Sequence, residues 1–282
     1  MHRHKYFNLW LHDDGELAPL VQGEVVERVT LHEWPLACVQ RLITSDGRTL
    51  IYKTQYGPTV EPVFYASARS ALLALAQTIY RADDGHVCML IEFVEGPSLE
   101  DLNLPEAEVA HIGRALLEQI GEIAGELPFF VDVSTEDKWT DLVNTTLQGL
   151  GELIGAGKFS RADKNVVNHL ERWAFSQAAR SAIRTRPGYV HHDLGGDNIF
   201  VLPGQYRVID WQRPIVGPAD LDLATLIESS GFDPLKYVET GVVWVMYLLR
   251  VHWLVQCALQ WFPPGAADYD EAIARLAVLI GE

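Results

Sequence analysis

The chain has 282 residues, 48% of them hydrophobic, enough for one large or two small domains around a substantial core. Its 22 basic and 38 acidic residues leave a formal charge of −16, which argues against a nucleic-acid or anionic-membrane partner and suits a cationic small molecule. The three cysteines, Cys38, Cys88 and Cys257, lie far apart in apolar runs without metal-ligand spacing, so buried free thiols in a reducing, cytoplasmic setting are expected. No long apolar segment follows Met1-His2-Arg3-His4-Lys5, and no signal peptide is predicted. The first hundred residues read as strands. Val25 to Thr30, Leu36 to Ile43, Thr49 to Thr54 and Val87 to Phe93 are apolar or β-branched runs, with Ser45-Asp46-Gly47 as a hairpin turn. Between the last two, Phe64, Ala68, Leu72, Leu75 and Ile79 recur at helical spacing, with Pro62 near the helix start. Beyond about residue 97 the pattern turns helical. Val109, Ile112, Leu116, Ile120, Ile123 and Leu127 form one stripe, with Asn103 and Glu106 as its capping signal. Further helices are predicted at about 136–155, 161–185, 219–229, 241–262 and 267–280. The most hydrophobic stretch, Val242 to Phe262, is interrupted by Arg250, His252, Gln256 and Gln260, which predicts a buried helix rather than a membrane span.

The helical half is interrupted by its most informative segment. Residues 191–198 read His-His-Asp-Leu-Gly-Gly-Asp-Asn, and Val208-Ile209-Asp210-Trp211 follows. Ile199 to Leu202 and Tyr206 to Ile209 are short β-rich runs, and Leu202-Pro203-Gly204-Gln205 places Pro and Gly as a type II turn requires. The resulting hairpin returns Asp210 towards Asn198. A carboxylate and an amide at H-x-D-x-x-x-x-N spacing, with a second carboxylate after a short strand, are the groups phosphoryl transfer from ATP needs. Asp193 would orient the attacking hydroxyl, and Asn198 and Asp210 would hold Mg²⁺ on the phosphates. Taken singly, Asp193, Asp197 and Asn198 also suit ordinary loop capping.

These segments resemble the aminoglycoside phosphotransferase and choline kinase superfamily of kinase-like small-molecule phosphotransferases. Its pattern is H-G-D-x-x-x-x-N, then D-[WFY], then D-L-A. Here these are His191-His192-Asp193 through Asn198, Asp210-Trp211 and Asp222-Leu223-Ala224. Two positions depart from it: His192 stands where Gly is usual, and Asp197 stands where a small residue is usual. The resemblance implies an α+β, two-lobed protein-kinase-like fold. Residues 1–95 would form a small antiparallel β lobe with one helix that binds the nucleotide. Residues 96–282 would form a larger, mainly helical lobe with the catalytic loop and the acceptor site. Asp220 and Asp222 would hold the catalytic loop or cap the next helix, and His191 would brace the loop.

By the same resemblance, Met89 to Gly96 is the strand running into the hinge. Ile91 would back the adenine pocket, and Glu92 and Val94 would offer it main-chain groups; a buried strand entering a turn is the plainer reading. Lys53, on the third strand, would hold the α- and β-phosphates. Glu61 is the only acidic residue between Lys53 and Asp83. It suits either an ion pair with Lys53 or simple capping of its helix. No G-x-G-x-x-G is present, and by position Leu31 to Leu36 would be the phosphate-covering loop. The expected activity is ATP- and Mg²⁺-dependent phosphorylation of a hydroxyl on a small molecule: an amino sugar, an amino alcohol or another metabolite. Trp244, Trp253, Trp261, Glu228 and Asp233 could line its pocket. The departures at His192 and Asp197, and the doubtful Lys53–Glu61 pair, leave a catalytically weak nucleotide-binding scaffold as the alternative.

Overall fold

Apolar and β-branched residues between Val25 and Glu92 build one antiparallel sheet. In the computed structural model, which describes residues 1–281, its strands are β3 (Val25–Trp34), β4 (Ala37–Thr44), β5 (Thr49–Gln55), β6 (Ala76–Arg81) and β7 (Val87–Glu92), in the order β3-β4-β5-β7-β6. The chain divides into two units. The first comprises Met1–Leu102, Ile123–Phe130 and Asp197–Arg213; the second comprises Asn103–Glu122, Val131–Gly196 and Pro214–Glu282. The first unit thus runs past the predicted boundary at residue 95 and takes in the predicted hairpin, β10 (Ile199–Leu202) and β11 (Gln205–Val208). Backbone pairing explains this: Leu99 N–H donates to Ile199 O at 2.7 Å, and Val201 N–H donates to Pro97 O at 3.1 Å. The hairpin has the predicted two-residue turn, Leu202 opposite Gln205, with Gly204 at φ 75°.

The helix predicted from Phe64 to Ile79 is much shorter. Helix α2 spans only Glu61–Ser67. Ser67 Oγ bonds back to Val63 O at 2.9 Å, Ala68 is extended, and Arg69 then pairs with Ala124. The apolar face also fails, because Leu75 is 77% exposed. Thr78, Ile79 and Tyr80 join strand β6, as β-branched and aromatic residues favour. The predicted loop at Leu31 to Leu36 is mostly strand too: β3 continues to Trp34, which pairs with Ala37 around Pro35-Leu36. Its run Val29-Thr30-Leu31 carries the strand on.

The N-terminal elements were not anticipated. Strands β1 (His2–Arg3) and β2 (Trp10–Leu11) pair, and α1 (Asp14–Val21) starts with a capping box between Asp13 and Glu16. Leu9, Leu11, Leu17 and Val21 pack with Leu42, Tyr52 and Leu90 into the sheet's core.

Gly125 fixes the far end of α2. Its φ is +120°, and a Cβ there would lie 2.2 Å from Ser67 O. Gly125→Ala is therefore expected to destabilise the protein by about 2–4 kcal/mol, since neither the backbone nor that carbonyl can yield cheaply. Urea unfolding measures this, and an unchanged midpoint would contradict the close approach.

The second unit is mainly helical: α3 (Glu106–Gly121), α4 (Glu136–Gly155), α5 (Lys164–Ala174), α6 (Gln177–Ala182), α7 (Asp220–Ser229), α8 (Thr240–Gln256) and α9 (Ala266–Leu279). Strands β8 (Val131–Asp132), β9 (Pro187–Val190) and β12 (Ile215–Pro218) form a small sheet ordered β8-β12-β9. Two predicted helices need correction. The helix after Asn103 starts behind Pro105 without a side-chain cap and ends at Gly121, so Ile123 and Leu127 lie outside it. The stretch 161–185 is two helices, because Ser176 caps a new one. Gly113 of α3 allows close approach to α7, where a Cβ would meet Leu223 at 2.7 Å. Helix α8, continued by a π turn over Cys257–Trp261, is long and apolar enough to span a membrane by length and composition. Val242, Val245, Leu248, Leu249 and Val255 are nevertheless buried within this unit, and His252 Nδ1 meets Thr146 Oγ1 at 2.8 Å. All three cysteines are buried, and none forms a disulfide.

Candidate active site

Lys53 is the centre of the arrangement. Strand β5 pairs on both sides, Lys53 lying opposite Val39 and Met89, so the side chain leaves a central strand and is only 4% exposed. Its ammonium meets Glu61 Oε2 at 2.8 Å and Asp210 Oδ1 at 2.6 Å. Glu61 is the first residue of α2 and fully buried, so it is an ion-pair partner rather than a surface cap. Burial alone would push the Lys53 pKa down, but Asp210 and Glu61 outweigh it and hold it above the usual range. Burial raises the Glu61 carboxyl despite Lys53, with Asp210 adding to the rise. One ammonium serves two carboxylates.

The hairpin base places Asn198 and Asp210. Ile199 pairs with Val208, and Ile209 N–H donates to Asn198 O at 3.0 Å. The two polar residues thus flank one another across the strand ends. Asp210 has φ 67°, a left-handed conformation that Asp tolerates better than most residues. The next residue, Trp211, is fully buried, stacks on Phe64 of α2 at 4.4 Å, and donates Nε1–H to Val208 O at 3.0 Å. Val60 N–H donates to Gln212 O at 2.9 Å, tying the start of α2 to the same segment. Nothing in the sequence flagged Phe64 beyond its apolar spacing.

Along β7, Ile91 is buried with Met89 and Val94. Glu92 N–H donates to Leu75 O at 2.7 Å, so its amide is already engaged. The β3–β4 hairpin, which takes the place of the predicted covering loop, is pinned by the N-terminal segment. His4 Nε2 lies 3.1 Å from Glu33 Oε2, and Cys38 is adjacent. His4 Nδ1 accepts from the Tyr6 and Phe7 amides at 3.2 Å, so the ring proton sits on Nε2, facing Glu33. That tautomer makes the group a hydrogen-bonded pin, not a metal site.

In the second unit, the loop carrying Asp193 is held by Asp222, which accepts from the His191 and His192 amides at 2.7 and 2.8 Å. Asp193 N–H donates to His191 Nδ1 at 3.3 Å, so His191 braces the loop. His192 has φ 73°, a conformation that favours glycine, which accounts for the Gly usual there. Asp220 bonds Arg186 at 3.0 Å. Among the residues suggested for the acceptor, Glu228 is paired with Arg250, Asp233 caps Leu235, and Trp244 packs edge-on against Trp173.

Two buried groups give stability opposite slopes with pH. Burial pushes Asp222 up to about 6, against the pull of His191 and the loop amides. Between about pH 4 and 6 the folded protein keeps a proton that the unfolded chain has released, so stability falls as pH rises through that window. Burial pushes His252 down to about 4. The unfolded chain then takes the extra proton between pH 6.5 and 4, so stability falls as pH drops. Asp222→Asn is expected to reduce the first slope, to which buried Glu61 also contributes, and His252→Asn the second, to which His12 contributes. Urea midpoints at stepped pH separate them, and unchanged slopes would contradict both assignments.

A sequence profile described as the phosphotransferase enzyme family matches residues 64–240. A comparison with curated protein sequences gives no match. Among solved structures, the chain is similar to a choline/ethanolamine kinase family protein from Mesorhizobium loti, with TM-score 0.65, 14% identity, and 95% of this chain and 94% of that one covered. A thermostable aminoglycoside phosphotransferase mutant in ternary complex with ADP and hygromycin B gives TM-score 0.61 at 14% identity, covering 95% and 99%. A spectinomycin phosphotransferase in complex with ADP and spectinomycin gives 0.57 at 12%, covering 95% and 98%. These likenesses establish the two-lobed, kinase-like fold.

Proposed function

We propose, since this chain belongs to the phosphotransferase enzyme family and is a small-molecule kinase, that it moves the γ-phosphoryl group of ATP to a hydroxyl of a small molecule. The observation that carries this reading is Lys53, buried on a central strand and bonded to both Glu61 and Asp210. A lysine placed there with a helix carboxylate is what phosphate-holding requires. The formed Lys53–Glu61 pair also removes one of the grounds for an inactive scaffold.

The donors fit the expected ion. Asn198 and Asp210 offer oxygens, which suit a hard cation such as Mg²⁺. These two residues would hold the ion, which when bound neutralises charge on the transferring phosphates. Lys53 would bind the nucleotide phosphates, with Glu61 holding its direction. Ile91 would back the adenine, and the Glu92 carbonyl and Val94 main chain would read its edge. Asp193 would orient the acceptor hydroxyl and accept its proton late, a task that needs no strong base because the transition state is loose. The first unit is thus read as nucleotide-binding, and the second as carrying the catalytic carboxylate and the acceptor.

For the acceptor we propose a hydroxylated metabolite, with a cationic one favoured only by the net charge of −16. The pairing of Glu228 with Arg250 withholds one carboxylate from such a ligand. Buried thiols without disulfides agree with a reducing cytoplasm.

The test is ADP release from MgATP across a panel of amino sugars, amino alcohols and neutral polyols, alongside nucleotide binding with and without Mg²⁺. Acceptor-dependent ADP release supports the reading. Nucleotide binding without turnover on any acceptor would favour a scaffold.

A further inference from the structure

Three buried polar atoms beside Lys53 have no hydrogen-bond partner: Glu61 Oε1, Gln55 Oε1 and the hydroxyl of Tyr65. Such atoms are rare in folded proteins, and each points to a missing donor, water or ligand. Glu61 is fully buried and Gln55 is 2% exposed. The two oxygens of Glu61 are unequally served. Its Oε2 takes Lys53 at 2.8 Å and Gln55 Nε2 at 2.9 Å, while Oε1 takes nothing.

Tyr65 stands one helical turn after Glu61 on α2, the i, i+4 relation that puts two side chains on one face. Its ring packs on the cluster of Met89, Ile91 and Val94, which anchors it on the side of the nucleotide strand. Burial, with the charges of Glu61 and Asp210 near, holds its hydroxyl pKa well above the usual range, so it remains a donor at every working pH.

We propose that Tyr65 is a positioning residue: its hydroxyl donates, through one water shared with Gln55 Oε1, to Glu61 Oε1, and so fixes Glu61 behind Lys53. The role rests on the phosphotransferase reading above. Lys53 gives two of its three N–H bonds to Glu61 and Asp210. When phosphate oxygens draw on that ammonium, Glu61 needs another donor to stay in place, and Tyr65 supplies it. An unpaired oxygen and an unpaired donor on the same face of one helix, the donor feeling the charge of Glu61, are the observation behind this.

The experiment is a double-mutant cycle on the full chain with Tyr65→Phe and Glu61→Gln. It reads the thermal midpoint without ligand, and kcat and KM for MgATP and for the acceptor. Tyr65→Phe removes one oxygen and keeps the ring. It is expected to lower the midpoint and to lower kcat/KM for MgATP about tenfold, the scale of one hydrogen bond to a charged group. The acceptor KM should not change. In the Glu61→Gln background the same change should have little further effect. Tyr65→Phe that is silent in kinetics and equally or more stable overturns the proposal, since removing an idle buried hydroxyl would help the fold. An equal loss in both backgrounds also overturns it, because the hydroxyl would then act on a group other than Glu61. If the wild type turns over no acceptor, the phosphotransferase reading fails separately. The stability cycle still decides the Tyr65–Glu61 bond, and additivity there refutes it.

Discussion

Asp193→Ala is expected to lower phosphoryl transfer by about a thousandfold or more while leaving nucleotide affinity near that of the wild type. A positioned carboxylate in this role is worth about 10²–10⁴ in rate, and losing the group that orients the hydroxyl also forfeits placement of the acceptor. The variant should fold. The main-chain bonds to the Asp222 carboxylate and the Asp193 amide on His191 Nδ1 hold the loop without drawing on the Asp193 carboxylate for those bonds. Single-turnover transfer to whichever acceptor the panel identifies measures the rate, and equilibrium nucleotide binding measures the affinity. Asp193→Asn separates two parts of the role: an amide can still orient a hydroxyl but accepts no proton. It should fall between Ala and wild type. Wild-type turnover in Asp193→Ala would move the catalytic assignment elsewhere, with Asp197 on the same loop the next carboxylate to examine.

The β10–β11 hairpin was legible because its determinants are local. Pro203-Gly204 dictates the turn, the β-rich runs on either side dictate the pairing, and Asn198 and Asp210 follow at its base. The end of α2 was not legible. Phe64, Ala68 and Leu72 continue a helical spacing that tertiary context cuts off, where Ser67 turns back on the helix and Arg69 pairs with Ala124. No window around residue 70 contains Gly125, whose bare Cα makes that ending possible. Helix α1 was a signal overlooked rather than absent, since Asp13 and Glu16 have capping-box spacing before Leu17. Glu61 is a different case. A carboxylate in a first helical turn satisfies both a cap and an ion pair, and only its complete burial against Lys53 separates them. Tyr65 was invisible for a related reason. Within a helix a tyrosine reads as core, and the unpartnered hydroxyl becomes apparent only when every neighbouring atom is in place.

Lys53→Ala is expected to cost about 3–5 kcal/mol of stability, besides its effect on nucleotide binding. Removing one member of a buried charge group leaves the others uncompensated, and that penalty exceeds what the intact group contributes. Here two carboxylates lose their shared ammonium, and Glu61 is fully buried. The variant should recover part of the loss as pH falls, because Glu61 already has its carboxyl raised by burial and would take a proton more readily still. Glu61→Ala in the same chain should relieve the penalty, so the double variant is expected to be more stable than Lys53→Ala alone. The urea-midpoint cycle would then show strong coupling. Kinetics give the second reading. Lys53→Ala should reduce kcat/KM for MgATP by about a hundredfold, a loss of roughly 2.7 kcal/mol in transition-state stabilisation. Once Glu61 is gone, removing Lys53 should cost less, since a lysine without its helix partner is already misdirected. Strict additivity in both stability and kcat/KM would mean that the 2.8 Å contact does no mechanistic work. A silent Lys53→Ala would go further and undermine the nucleotide-binding role of the sheet. Lys53 is the only lysine between Lys5 and Lys138, so no other lysine lies on a strand of that sheet to take its place.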